Sequence, residues 1–240
     1  MLTGSALTGC GVVREVKKVA HAVEGNRATI DQFTQKLKSG EATPFEARYV
    51  TTGSSPATIV YAVRPPADLA FTDTAPGNSS GIKRLDVIVN SAGEYSCRPP
   101  SSSGSGPAWT CQKLTTAKSA TRNKILDFYT PAHWIVFLRD FSLAAGFAGD
   151  KVTSSDKTVN GFRMHCVDFR ASGVPGTSTI CTTAQGILGY VRVASDATSF
   201  EITSYSAAPP TALFRLPAGA TVTTPRKGTA QVRSARPAGR

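Results

Sequence analysis

The sequence predicts an α+β domain built on an antiparallel β-sheet. Its elements run helix, strands, helices, strands rather than alternating, the order of a sheet with segregated helices. Asn160-Gly161, set between two runs of β-formers, is a two-residue hairpin signal, and hairpins make antiparallel pairs. Four cysteines group two by two, Cys97 with Cys111 and Cys166 with Cys181, as short stapled loops do.

Residues 12–38 carry a helical pattern, with Val12, Val16, Val19 and Val23 at three- and four-residue steps. Gly25-Asn26 is expected to break the run, and Thr29 to cap a second stretch with Ile30, Phe33 and Leu37 on one face. Ser39-Gly40 is the expected C-terminal stop. Strands are expected at 45–52, 58–63, 69–74, 85–89, 95–98 and 109–114, punctuated by Gly, Pro and Asn clusters. The segment 99–107, PPSSSGSGP, is a low-complexity exposed loop.

The middle of the chain changes character. Helices are expected at 120–128 and 131–148, with Pro131 suited to a first turn. The second is the most apolar stretch of the chain: a helix buried on the sheet, or a lid over an apolar cavity. Strands return at 151–158, 162–170, 178–183, 187–194 and 199–206.

Composition narrows the class. At 240 residues, 40% apolar and 18% charged, the chain can bury a core and suits a β-rich exported protein. No stretch approaches the roughly 18–20 apolar residues that span a bilayer. The net charge is +11, of which Arg226, Lys227, Arg233, Arg236 and Arg240 sit in an acid-free tail, 223–240. That tail has no aromatics and the other basic residues are scattered, so a nucleic-acid partner is not expected. The tail is solvated and disordered, or attracted to anionic lipid headgroups at about 1 kcal/mol per basic residue.

The four inner cysteines could pair in three ways, and proximity favours Cys97–Cys111 and Cys166–Cys181. Each bridge would close a loop of about 15 residues, worth about 3 kcal/mol in the chain-entropy model. Zinc is disfavoured because there is no C-x-x-C. Paired disulfides imply an oxidising compartment and therefore export.

The fifth cysteine stands apart. Leu7-Thr8-Gly9-Cys10 resembles the bacterial lipobox, in which the cysteine accepts diacylglycerol and becomes the mature N-terminus. Only nine residues precede Cys10, without a basic leader, so residues 1–28 are expected to hold a truncated signal, the lipobox and a tether helix. The domain proper is expected at 29–222. Lipidation at Cys10 would anchor a monomer to the outer face of the cytoplasmic membrane.

Catalytic chemistry is thin. There is no H-E-x-x-H or phosphate-binding motif. His21, His133 and His165 lack partners at a telling spacing, and Asp86, Asp140 and Asp168 suggest neither a metal nor an acid–base pair. No enzymatic activity, metal or cofactor is expected. The apolar set is better placed for binding. Tyr49, Ile59, Tyr61, Val63, Leu85, Val87, Val89 and Ile202 would line one sheet face, with Trp134, Phe137, Leu138 and Phe141 opposite. An open space between them would take acyl chains, each buried methylene contributing about 0.8 kcal/mol; a filled one is a core.

Four segments in order carry a family likeness. Phe45-Glu46-Ala47-Arg48-Tyr49, Val63-Arg64-Pro65-Pro66-Ala67-Asp68-Leu69, the stretch from Cys166 to Cys181-Thr182-Thr183-Ala184-Gln185-Gly186-Ile187-Leu188, and Phe214-Arg215-Leu216-Pro217-Ala218-Gly219-Ala220 resemble motifs of the LolA/LolB-type lipoprotein-carrier fold. They resemble especially those of lipoproteins from high-GC Gram-positive (actinobacterial) envelopes that share the fold. The resemblance implies a strongly curved antiparallel sheet, a half-barrel, with an N-terminal helix and mid-chain helices over its concave face. It implies a hydrophobic ligand there, lipid or lipoprotein acyl chains, for carriage or sorting. A protein-interaction or sensor module on the same scaffold, and an unrecognised envelope hydrolase, are the alternatives.

Overall fold

A 32-residue helix, α1 (Cys10–Glu41), opens the fold. The break expected at Gly25-Asn26 does not occur, and Thr29 is not a cap: its hydroxyl donates to the Gly25 carbonyl one turn back. Tertiary contacts override the poor local propensity. Asn26 is buried, and its Oδ1 accepts the Val152 N–H at 3.0 Å, so the side chain is committed to another element. Ile30, Phe33 and Leu37, one helical face, are buried as the periodicity predicts.

The computed structural model describes residues 10–53, 56–75, 83–100, 109–114, 130–148, 152–170, 175–194 and 199–224. The side chains of residues 10–23, 41, 83 and 141–148 are not among those described. The expected helix at 120–128, most of the 99–107 loop and the basic tail lie outside the described residues.

Twelve strands are described. The first half holds β1 (Phe45–Thr51), β2 (Ala57–Arg64), β3 (Asp68–Ala75), β4 (Lys83–Asn90), β5 (Gly93–Arg98) and β6 (Thr110–Lys113). After helix α2 (Pro131–Ala148) come β7 (Val152–Val159), β8 (Phe162–Phe169), β9 (Ser178–Thr183), β10 (Leu188–Arg192) and β11 (Ser199–Ser206). β12 (Thr221–Thr223) closes the fold. All join one sheet in the order β12-β6-β5-β4-β3-β2-β1-β11-β10-β9-β8-β7, open at both ends and not closed into a barrel. Every pair is antiparallel except β12 with β6, which is parallel and was not foreseen. The β7–β8 hairpin turns at Asn160-Gly161, both with positive φ, as that dipeptide predicts.

The sheet halves join where β1 pairs with β11, through a register shift at Arg48/Tyr49. A second shift lies between Leu188 and Tyr190. Such irregularities bend and twist a sheet locally.

Alternation along the strands gives the sheet two distinct faces. On one, α1 packs against β7, β8, β9 and α2. The other carries both disulfides, since Cys97 lies across from Asp86 and Cys166 from Ser155. On that far face the segment after β11 folds back through a short 3-10 turn (Thr211–Phe214). There Phe214 packs with Ala62 and Ala70, while Leu216 and Ala220 lie against Ile88, Tyr95 and the Cys97–Cys111 bridge.

Candidate functional site

The helix side of the sheet is the candidate site. Register places Tyr49 beside Ile59, Tyr61 beside Phe71, Phe71 beside Val87, and Ile202 beside Tyr49. Of the apolar residues expected there, Tyr49, Ile59, Tyr61, Val87, Trp134, Leu138 and Ile202 are buried in one cluster with α1 residues Ile30, Phe33 and Leu37. Tyr49 stacks on Phe200 with ring centroids 4.1 Å apart.

The remaining expected residues behave differently. Val63 and Leu85 pack on the cluster but are only half-buried. Val89, between Leu69 and Glu94 in register, is half-buried as well. Phe137 is 38% exposed on α2, although its ring meets Trp134 at 5.6 Å and Phe169 at 5.7 Å. The Phe141 side chain lies outside those described. The helix side is thus packed where α1 lies over β7–β9 and less completely covered along β2–β4.

Two pockets are described, neither lined by the expected set as a whole. One of about 350 Å³ lies on the far face, between β3–β4 and the folded-back segment. Its lining combines Ile88, Leu213 and Leu216 with Arg84, Asp86 and Trp109. Arg84 donates twice to Asp86, at 2.9 and 3.0 Å, and its guanidinium stands over the Trp109 ring. The other, about 440 Å³, opens at the ends of β1–β3 and is lined by Val50, Thr51, Pro56, Ala57, Thr58, Thr74 and Ala75.

Polar groups on the helix side are few. On β3, Asp73 lies between Ile59 and Leu85, and burial raises its carboxyl above the ordinary carboxylate range. Sequence reading overlooked it; the signal was an acid at the third place of an otherwise apolar alternation, Leu69-x-Phe71-x-Asp73. At the sheet edge, hydrogen bonds from His165 and then Arg163 hold the exposed Asp156 below the ordinary range. On the far face Asp168 accepts hydroxyl hydrogen bonds from Ser155 and from Thr179, the latter at 2.6 Å. Asp86 is salt-bridged to Arg84.

Both expected disulfides are formed, Cys97–Cys111 and Cys166–Cys181, each between directly opposed residues of neighbouring strands. Cys10 begins α1, and its side chain is not described. Among the described residues no helix is long and apolar enough to cross a membrane.

No protein-family model matches the chain. No curated protein matches it either. Solved structures do. A complex of Pseudomonas aeruginosa MucA and MucB matches over 82% of this chain and 64% of that one, at 12% identity and a TM-score of 0.50. MucB in complex with MucA(peri) matches over 79% and 60%, at 9% identity and a TM-score of 0.44. An uncharacterised conserved protein from Thermus thermophilus matches over 81% and 98%, at 8% identity and a TM-score of 0.46. The chain therefore spans about three fifths of the length of the first structures it resembles. The likeness to the MucA/MucB structure is one of fold.

Proposed function

We propose that this chain is an exported, lipid-anchored cell-envelope protein that binds a hydrophobic ligand, lipid or lipoprotein acyl chains, on the helix side of a curved, half-barrel sheet. It works by binding, for carriage or sorting, and not by catalysis. The observation that carries this is the uneven cover of one apolar face. Tyr61, Phe71 and Val87 are buried, whereas Val63, Leu69, Leu85 and Val89 around them are half-buried, and α1 packs on α2 and, among the strands, on β7–β9. An apolar guest along β2–β4 would gain what that face has left to bury. The two disulfides support an oxidising compartment. The lipobox-like Leu7-Thr8-Gly9-Cys10 supports an anchor at the outer face of the cytoplasmic membrane.

Native mass spectrometry of the purified protein tests the ligand. A co-purifying lipid, displaced by a fluorescent fatty-acid probe, is the expected result; a protein that carries nothing and takes up no probe overturns it. The anchor is tested separately, by Cys10→Ser in a chain with a complete signal peptide. Release from membranes is expected, and unchanged retention contradicts the tether.

A second reading is a protein-interaction or sensor module on the same fold. It is favoured by the MucA/MucB structure, which is a complex of two proteins. The edge strand β7, largely exposed, leaves one side of its backbone free of sheet partners among the described residues. Ser154→Pro, whose N–H, like that of Val152, faces away from β8, separates the readings: it should abolish binding of an extended partner segment and leave lipid uptake intact.

A further inference from the structure

Strand β3 places a carboxylate where its alternation calls for an apolar side chain. Leu69 lies between Val63 and Val89, Phe71 between Tyr61 and Val87, and Asp73 between Ile59 and Leu85, all in register on the helix side. Asp73 Oδ1 is shut off from solvent and accepts no hydrogen bond among the described residues. Buried carboxylate oxygens are ordinarily satisfied, so an orphan needs an explanation. Of the neighbouring cations of β4, Arg84, across from Thr74, is held by Asp86 on the opposite face; Lys83, across from Ala75, shares the helix side, and its side chain lies outside those described. Burial raises the Asp73 pKa, the mark of a carboxyl without a compensating charge.

Apolar pockets orient their ligands with a small number of placed polar groups. Buried Ile59 and half-buried Leu85 flank Asp73, and the next two residues of β3, Thr74 and Ala75, line the open pocket of about 440 Å³. A guest could reach Asp73 from that end of the strands.

We propose that Asp73 is the polar anchor of the ligand, accepting a hydrogen bond from the hydroxyl or ammonium head of an amphiphile whose chain lies along the helix side of β2–β4. This rests on the apolar-ligand reading above and adds the head group to it. Anionic heads such as fatty carboxylates are selected against, because they would set two acids together without a donor.

The test titrates the full chain, stripped of co-purified lipid, with dodecanol, dodecylamine and dodecanoate. Dodecanol or dodecylamine should bind at least about tenfold more tightly than dodecanoate, the factor expected of one hydrogen bond to a charged group. Asp73→Leu should abolish that difference, bind dodecanoate no worse, and melt no lower than the wild type. Asp73→Asn, which still accepts but carries no charge, should keep a preference for the alcohol and lose one for the amine. Equal affinity for all three probes, or a preference that survives Asp73→Leu, overturns the anchor alone. A lowered melting temperature in Asp73→Leu overturns it too, since the carboxylate would then serve the fold. No binding of any probe overturns the anchor and the apolar-ligand reading together.

Discussion

Gly40, in the last turn of α1, and Gly186, in the β9–β10 turn, meet backbone to backbone. A Cβ on Gly40 would overlap the Gly186 carbonyl oxygen, and one on Gly186 would overlap the Lys36 carbonyl oxygen. Gly186 also has a φ of +79°, where a side chain is strained whatever the space. This contact lets α1 lie close on the end of the β9–β10 hairpin. Gly40→Ala should cost about 1–3 kcal/mol by overpacking, and Gly186→Ala about 1–2 kcal/mol more for its backbone. Gly25→Ala is the control: nothing lies within 4 Å of its Cβ position, so helix propensity alone should raise stability by about 1 kcal/mol. Urea unfolding of the three variants measures these differences.

Asn26 ties α1 to the start of β7. Asn26→Leu should leave the Val152 N–H without its acceptor and cost about 1–3 kcal/mol, whereas Asn26→Asp, which retains an acceptor, should cost less. Equal losses in the two variants would show that the hydrogen bond is not what matters there. Amide exchange at Val152 gives an independent check, since its protection should fall only in the leucine variant.

The disulfides staple hairpins whose cysteines are already opposed in register, with sequence separations of 14 and 15 residues. Removing either pair by double Cys→Ser exchange should cost about 3 kcal/mol, mostly by releasing the unfolded chain. Both bridges are fully buried, so thiol titration of the native protein should find none of these four cysteines reactive. Four accessible thiols would remove the main support for an oxidising compartment.

Two aspartates should respond to pH with opposite sign. Asp156 is held below 3.8 by His165 and Arg163, so its contribution is present above that pH and is lost as pH falls through the lowered value. Asp73 is raised above 3.8 by burial. Its folded state holds the proton more tightly, so stability is lost as pH rises from 3.8 through the raised value. Urea midpoints followed over roughly pH 2 to 7 test both. Asp73→Asn should remove part of the fall on the rising side, and Asp156→Asn part of the loss at acid pH. A fall unchanged in Asp73→Asn would mean that another group sets it.

Much of this protein was legible before any coordinates. Strand positions were, because β-formers alternate between Gly, Pro and Asn turns, and 178–183 and 199–206 match β9 and β11 residue for residue. So were both disulfides, since short loops are the easiest to close. The buried face of α1 followed from its period, and register places the strand members of the expected apolar set on one side of the sheet. These properties are local: they depend on residues within a few positions of one another.

Pairing across the chain was settled only in three dimensions. Nothing near Gly25-Asn26 shows that a helix runs through it; the acceptor role of Asn26 toward Val152, 126 residues away, does. Nothing in 207–224 marks it as a strap over the far face, because its partners Ala62, Ala70, Ile88 and Tyr95 come from strands more than a hundred residues earlier. The solitude of Asp73 is of the same kind. A carboxylate in a strand reads as a solvated side chain until the strands on either side set it between Ile59 and Leu85. Sequence periodicity says which face a residue shares, but the packing of distant segments decides what, if anything, that residue meets there.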